Sequence, residues 1–307
     1  MEVETGATLA PVFLAGPTAV GKSAVALELA ERLGGEIISV DSMQVYRGMN
    51  IGTAKPGPQE LQRVPHHLLD VAGLDESFDA AQFVRLARTV VAEIQARGRV
   101  PIFCGGTGFY FKAYLEGLGE APARDLTLRA TLEAQPLAQL LVELEKLDPV
   151  TFQRIDRQNP RRVIRAVEVI RLTGRPFSEQ RAKWQGQGNS GCFFGLTRPA
   201  GELQLRIARR VDEMFARGLV AEVESLLRVG LERNPTAMQA LGYRQVVEHL
   251  RGQRGLAETV ELVKIRTRQY AKRQMVWFRR QMRLEWVSLE GQTPAGAAEQ
   301  IASMLAS

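Results

Sequence analysis

The sequence predicts an α/β fold, a parallel-sheet core interrupted by a small helical domain, and three observations predict it. The apolar run Pro11–Ala15 passes through a glycine-bounded loop straight into a helix-forming run, Ala24–Leu33. Two more short apolar runs, Glu36–Val40 and Val100–Cys104, end in an acid and in glycines, as buried parallel strands do at a ligand crevice. From about residue 119 to 188 there are helical patterns but no convincing strand; Cys192–Leu196 then reads as a strand and helices dominate the rest. The core is therefore expected at 1–118 and 190–307, and the inserted helical domain at 119–189. The turn-rich run Gln185–Gly191 marks the far edge of that domain and would let it move, and the first ten residues read as a loose lead-in.

Composition narrows the class. An apolar share of 45% and a charged share of 24% over 307 residues suit an ordinary water-soluble protein. No stretch approaches the ~20 apolar residues that cross a bilayer, and no secretory leader is visible. The two cysteines, Cys104 and Cys192, have neither disulfide-framework nor zinc-ligand spacing, so a reducing cytoplasm is expected. The net charge of +6, from 40 basic and 34 acidic residues, is a weak pointer to a polyanionic partner. Nothing demands more than a monomer.

The first loop carries chemistry. Gly16, Pro17, Thr18, Ala19, Val20, Gly21, Lys22 and Ser23 spell G-x-x-x-x-G-K-[ST] without a substitution, between a strand and a helix. Its glycines let several N–H groups aim at one anion, and the helix N-terminus adds its dipole. Lys22 brings a point charge, and the Ser23 hydroxyl can ligate Mg²⁺. The core is accordingly P-loop NTPase-like. The motif shows a phosphate ligand without saying which one.

Asp41 stands at the end of the second strand, on the same crevice. It reads equally as a residue facing the ligand in that crevice or as the cap of a turn with Ser42. Where many P-loop ATPases end a strand with a metal-binding acid, this chain has Gly105-Gly106-Thr107-Gly108, which weakens an ordinary ATPase reading. Thr107 could bond a phosphate or cap the next helix. His66 and His67 read as loop residues with a structural role.

Two basic clusters stand out. Between Leu262 and Leu284 there is no acid, and Lys264, Arg268, Lys272, Arg279 and Arg283 form one helical stripe opposite Val263, Tyr270, Ala271, Trp277, Phe278 and Met282. Single-sign charge suits phosphate contacts. The second cluster is Arg154, Arg157, Arg161, Arg162 and Arg165, ahead of an apolar helical pattern.

Taken together, the P-loop, the block Asp41–Pro56, Pro65-His66-His67-Leu68-Leu69-Asp70, Gly105–Tyr110 and Arg268–Gln274 resemble the bacterial tRNA dimethylallyltransferases, the IPP transferase family, from about Pro11 to Trp286. The resemblance implies transfer of a dimethylallyl group from dimethylallyl diphosphate to N6 of adenosine 37, beside the tRNA anticodon. It implies Mg²⁺, and a P-loop that grips the prenyl diphosphate instead of ATP. Asp41 falls on the family's general base, Thr107 on a residue near the reacting groups, and Arg210 on an arginine that helps hold the diphosphate. Thr18, Lys22 and Ser23 fall on the diphosphate cradle. Contacts to the tRNA anticodon stem-loop are implied at Asp41, Ser42, Met43, Gln44, Thr107, Arg129, Arg161, Arg162, Val163, Ile164 and Arg165. The chain departs from the family pattern at Ser23, where many members have Thr, and at Asn50, where many have Asp; the first keeps the hydroxyl and the second lies off the chemistry. The competing readings are a P-loop small-molecule kinase with Asp41 as base, and a nucleotide-dependent RNA-binding switch. The kinase does not explain the basic helix, and the switch leaves Asp41 and Thr107 idle.

Overall fold

The computed structural model describes residues 9–180 and 192–306, so the loose lead-in expected at the start and the turn-rich run Gln185–Gly191 lie mostly or wholly outside the described residues. The chain divides into two compact units, Met1–Tyr114 with Gly188–Ser307, and Leu115–Gln187.

The first unit is built on six parallel strands: β1 (Val12–Ala15), β2 (Gly35–Val40), β3 (His66–His67), β4 (Val100–Gly105), β5 (Phe193–Thr197) and β6 (Glu285–Ser288). Their order across the sheet is β3-β2-β4-β1-β5-β6. Side chains alternate between the faces with a period of two. Val12 and Leu14 of β1, Ile102 and Cys104 of β4, and Phe194 and Leu196 of β5 join one core, against helices Lys22–Leu33 and Pro294–Ala306. The intervening Phe13, Phe103 and Phe193 face the other way into an aromatic layer with Phe111; Phe13 and Phe103 stack with ring centroids 4.9 Å apart. Both faces being covered, the central strands are continuously apolar, which is why they were readable.

The two edge strands were not. His66 and His67, expected in a loop, pair in parallel with Ile37 and Ile38 of β2. The His67 Nε2 lies 2.7 Å from a Glu36 carboxylate oxygen, the same buried carboxylate that Arg97 grips through Nε and Nη2. On the far edge, β6 interrupts a stretch expected to be helical, and only Val287 of its four residues is buried. Short, partly charged strands are what sheet edges tolerate.

The second unit is helical among its described residues, with helices Leu126–Glu133, Leu137–Leu147, Pro149–Arg154, Pro160–Thr173 and Phe177–Gln180. Leu132, Leu140, Leu144, Val163, Ile164, Val167 and Ile170 form its core. Asp148 ties it together: its carboxylate accepts from the N–H and hydroxyl of both Thr151 and Ser178, at 2.6–3.0 Å.

Candidate active site

Three loops meet at the carboxyl ends of β1, β2 and β4. The first leaves β1 at Gly16 and enters helix Lys22–Leu33 at Gly21, which has a φ of 113°. No side chain caps that helix start, so its first N–H groups are left for an anion. Ala19 adopts a φ of 63°, unusual for a residue with a Cβ. Lys22 Nζ donates to the Pro17 carbonyl at 2.7 Å, so the lysine folds over its own loop. Burial depresses the Lys22 ammonium to about 8; Arg210 adds to the depression, while Cys104 and Asp41 oppose it. Ser23 is exposed at the start of the helix.

The second loop leaves β2 at Asp41. Its Oδ1 accepts from the N–H groups of Met43 (2.8 Å) and Gln44 (3.2 Å). The turn-cap reading is therefore correct for one carboxylate oxygen, and among the described residues no hydrogen bond engages the other. Gln44 is committed within its loop: its Oε1 accepts from Ser39 Oγ, and its Nε2 donates to the Thr53 and Ala54 carbonyls. Further along, Glu222 collects the N–H groups of Asn50, Ile51 and Gly52 and the Tyr243 hydroxyl. Asn50 is held through its backbone there, and its side chain accepts from Lys55.

The third loop leaves β4 at Gly105. Thr107 Oγ1 accepts from the Ser42 N–H at 3.1 Å, tying the second loop to the third. Thr107 therefore braces the crevice through that oxygen. The glycines that stand in place of an acid have a steric reason. A Cβ on Gly105 would lie 2.1 Å from the Val40 carbonyl oxygen, and one on Gly106 would lie 2.3 Å from Gln274 Nε2.

Gln274 was not singled out by sequence reasoning. It comes from the helix Leu256–Gln281, where its Oε1 accepts from Thr18 N–H and its Nε2 donates to the Gly106 carbonyl, each at 2.9 Å. One amide thus bridges the phosphate loop and the β4 loop. Tyr270, one turn earlier, has its phenol pushed up by burial and next by the charge of Asp41. The signal was the spacing of Gln274 with Tyr270 and Trp277, which puts it on the helical face opposite the basic stripe.

Arg210 sits on helix Ala200–Ala216. Burial lowers its guanidinium, with Asp41 the first opposing influence. The Asp41 carboxylate thus favours the charged forms of both Lys22 and Arg210, against the burial that disfavours them.

The basic helix needs two corrections. Lys264 is nearly covered and lies 2.8 Å from both Asp212 and Glu261, so acids outside the acid-free window neutralise it. Arg283 lies past the helix end at Gln281. Lys272, Arg273, Arg279 and Arg280 remain exposed.

In the helical unit the expected RNA contacts divide. Val163 and Ile164 are buried in its core, so RNA cannot reach their side chains. Arg165 bonds the buried Glu168 at 2.9 Å and the Pro122 carbonyl at 2.6 Å, and Arg129 bonds Glu133 while lying 3.7 Å from Glu168. Those two arginines hold the unit together. Arg161 and Arg162 are exposed in the first turn of helix Pro160–Thr173, near exposed Arg154 and Arg157.

Known proteins resemble this chain over most of its length. The family described as IPP transferase matches residues 44–281. The chain belongs to the IPP transferase family. The matched span takes in Thr107, Arg210 and Gln274 and begins just after Asp41. A tRNA dimethylallyltransferase of Trichlorobacter lovleyi is 47% identical over 90% of this chain and 93% of its own length. One of Geobacillus thermodenitrificans is 47% identical, covering 91% and 90%. Among solved structures, a tRNA isopentenylpyrophosphate transferase of Staphylococcus epidermidis superposes with a TM-score of 0.71 at 33% identity, covering 97% of this chain and 99% of its own. A eukaryotic dimethylallyltransferase acting on tRNA reaches a TM-score of 0.76 at 27% identity, covering 95% and 77%.

Proposed function

We propose that this enzyme transfers a dimethylallyl group from dimethylallyl diphosphate to N6 of adenosine 37 in tRNA, with diphosphate leaving. The observation that carries the reading is the meeting of an uncapped P-loop helix start with Asp41, whose Oδ1 is anchored by its own turn and whose loop is tied by Thr107 to the loop after β4. The C1–O bond of the donor breaks and its electron pair leaves with the diphosphate. Lys22, Arg210 and the N–H groups of the loop are the charges and dipoles suited to receive that negative charge. The N6–C1 bond forms as the amine proton passes to Asp41, whose Oδ1 is anchored by the turn and whose Oδ2 is the oxygen available to accept it. Thr107, braced against Ser42, fixes the loop that presents the base.

A hard cation takes oxygen ligands, and the exposed Ser23 hydroxyl at the helix start fits a Mg²⁺ held largely by water and substrate phosphates. When bound, Mg²⁺ would neutralise charge on the leaving diphosphate. The exposed Arg154, Arg157, Arg161 and Arg162 support assigning the helical unit, expected at 119–189, to the tRNA anticodon stem-loop. Among the described residues no helix is long and apolar enough to cross a membrane. A monomer acting in the cytoplasm is part of the same reading.

The test supplies labelled dimethylallyl diphosphate, unmodified tRNA and Mg²⁺, with ATP omitted. Label is expected in tRNA. No label under these conditions sinks the transferase reading, and ATP-dependent phosphorylation of a metabolite would favour the kinase.

A further inference from the structure

Two arginines without an assigned role reach the phosphate loop. Arg206 Nε donates to the Ala19 carbonyl at 2.9 Å, and Arg198 Nε donates to the Val20 carbonyl at 2.7 Å. Arg198 is itself anchored: it is ion-paired with Glu202, its Nη1 donates to the Leu289 carbonyl at 2.8 Å, and its side chain is only 9% exposed. Arg206 lies one helical turn before Arg210 on helix Ala200–Ala216, so the same face supplies a guanidinium to the loop backbone and one beside Lys22. The Nη2 atoms of Arg198 and Arg206 each lie 3.7 Å from the point a Cβ on Gly21 would occupy. Bringing two like charges together has a cost: burial, and then Arg198, lowers the Arg206 guanidinium.

The consequence follows from peptide geometry. In a trans peptide the C=O and the next N–H point in opposite directions. A Val20 carbonyl held by Arg198 turns the Gly21 N–H to the opposite side. An Ala19 carbonyl held by Arg206 likewise turns the Val20 N–H across the loop, toward the Pro17 carbonyl 3.4 Å away. That carbonyl also accepts from Lys22, which puts this side within reach of the lysine ammonium. Ala19 itself has a φ of 63°, where residues with a Cβ stay only when the surroundings hold them.

We propose that Arg206, assisted by Arg198, is a positioning residue for the diphosphate: together they hold consecutive loop carbonyls outward, and so keep the Val20 N–H locked on the Pro17 carbonyl, the Gly21 N–H turned to the anion's side and Ala19 in its left-handed conformation. The proposal rests on the reading of Gly16–Ser23 as a diphosphate site. Arg206 acts through the backbone and not by touching substrate, so loss of its hydrogen bond should survive salt, whereas loss of a mere attractive charge should not.

The experiment measures binding of inorganic diphosphate with Mg²⁺ by titration calorimetry, for the full-length wild type, Arg206→Met and Arg206→Lys, at 0.1 M and 1 M KCl. Arg206→Met is expected to bind about tenfold more weakly at both salt concentrations, the scale of a lost hydrogen bond to a charged group. Arg206→Lys, with charge but no planar fork, is expected to share most of the deficit. A unchanged melting temperature for the two variants is part of the expectation, since Arg206 is exposed. Wild-type affinity in Arg206→Met, full rescue by lysine, or a deficit that disappears at 1 M KCl, where the Debye length is about 3 Å, would each overturn the proposal. Failure of the wild type to bind diphosphate would instead overturn the reading of the loop.

Discussion

At the scale of single residues, the two oxygens of Asp41 have different duties. Oδ1 holds the turn that carries Ser42, Met43 and Gln44, and the other oxygen is the one assigned to the amine proton. Asparagine preserves the Oδ1 acceptor but is no base. Asp41→Asn is therefore expected to keep the fold and tRNA affinity while turnover falls by about 10²–10⁴-fold, the usual contribution of a positioned base. Single-turnover transfer and filter binding of tRNA would check the two halves, and a variant with normal turnover would refute the assignment. Gly105 and Gly106 belong to the same scale. Their lack of a Cβ lets the Val40 carbonyl and the Gln274 amide approach, which is why glycines occupy the place of a metal-binding acid.

At the scale of elements, helix Pro160–Thr173 begins with Arg161 and Arg162 exposed, beside Arg154 and Arg157. Its N-terminal N–H groups and these cations favour the same sign of ligand. Changing Arg161 and Arg162 together to alanine is expected to weaken tRNA binding and to flatten its log-log salt dependence by about 0.7–0.9 per lost phosphate contact. An unchanged slope would show that they face elsewhere. Arg165 is excluded from this test because Glu168 and the Pro122 carbonyl hold it, and its removal would leave a buried carboxylate short of a partner. The sequence made visible the elements buried on both faces, β1, β2, β4 and β5, because continuous apolar runs have few other uses. It hid β3, two histidines long, and β6, with one buried residue, because edge strands need little apolar pattern. Of the site, the loop from Gly16 to Ser23 and Asp41 were legible because their meaning is local. Lys264 misled because its neutralising acids lie on another helix, Asp212, and just outside the acid-free stretch, Glu261, and Gln274, Glu222, Arg198 and Arg206 gave no local sign because each acts on backbone far away in sequence.

At the scale of the whole molecule, the first unit is discontinuous: the chain leaves it after Tyr114 and returns at Gly188. Both sides of the excursion are needed for the sheet, since β5 pairs with β1 and β6 with β5. The core packed on helix Lys22–Leu33 includes Val287, Leu289 and Ile301 from the end of the chain. A chain stopped after residue 250 is therefore expected to show no diphosphate binding by calorimetry, although its loop from Gly16 to Ser23 is intact; retained binding would argue that the loop closes unaided. The bridge from Thr18 to Gln274 spans 256 positions. Emerging from a ribosome, the chain displays its phosphate-loop residues long before the amide that braces them, the two lying 256 positions apart. A fragment that ends between the two positions would carry the loop without its brace.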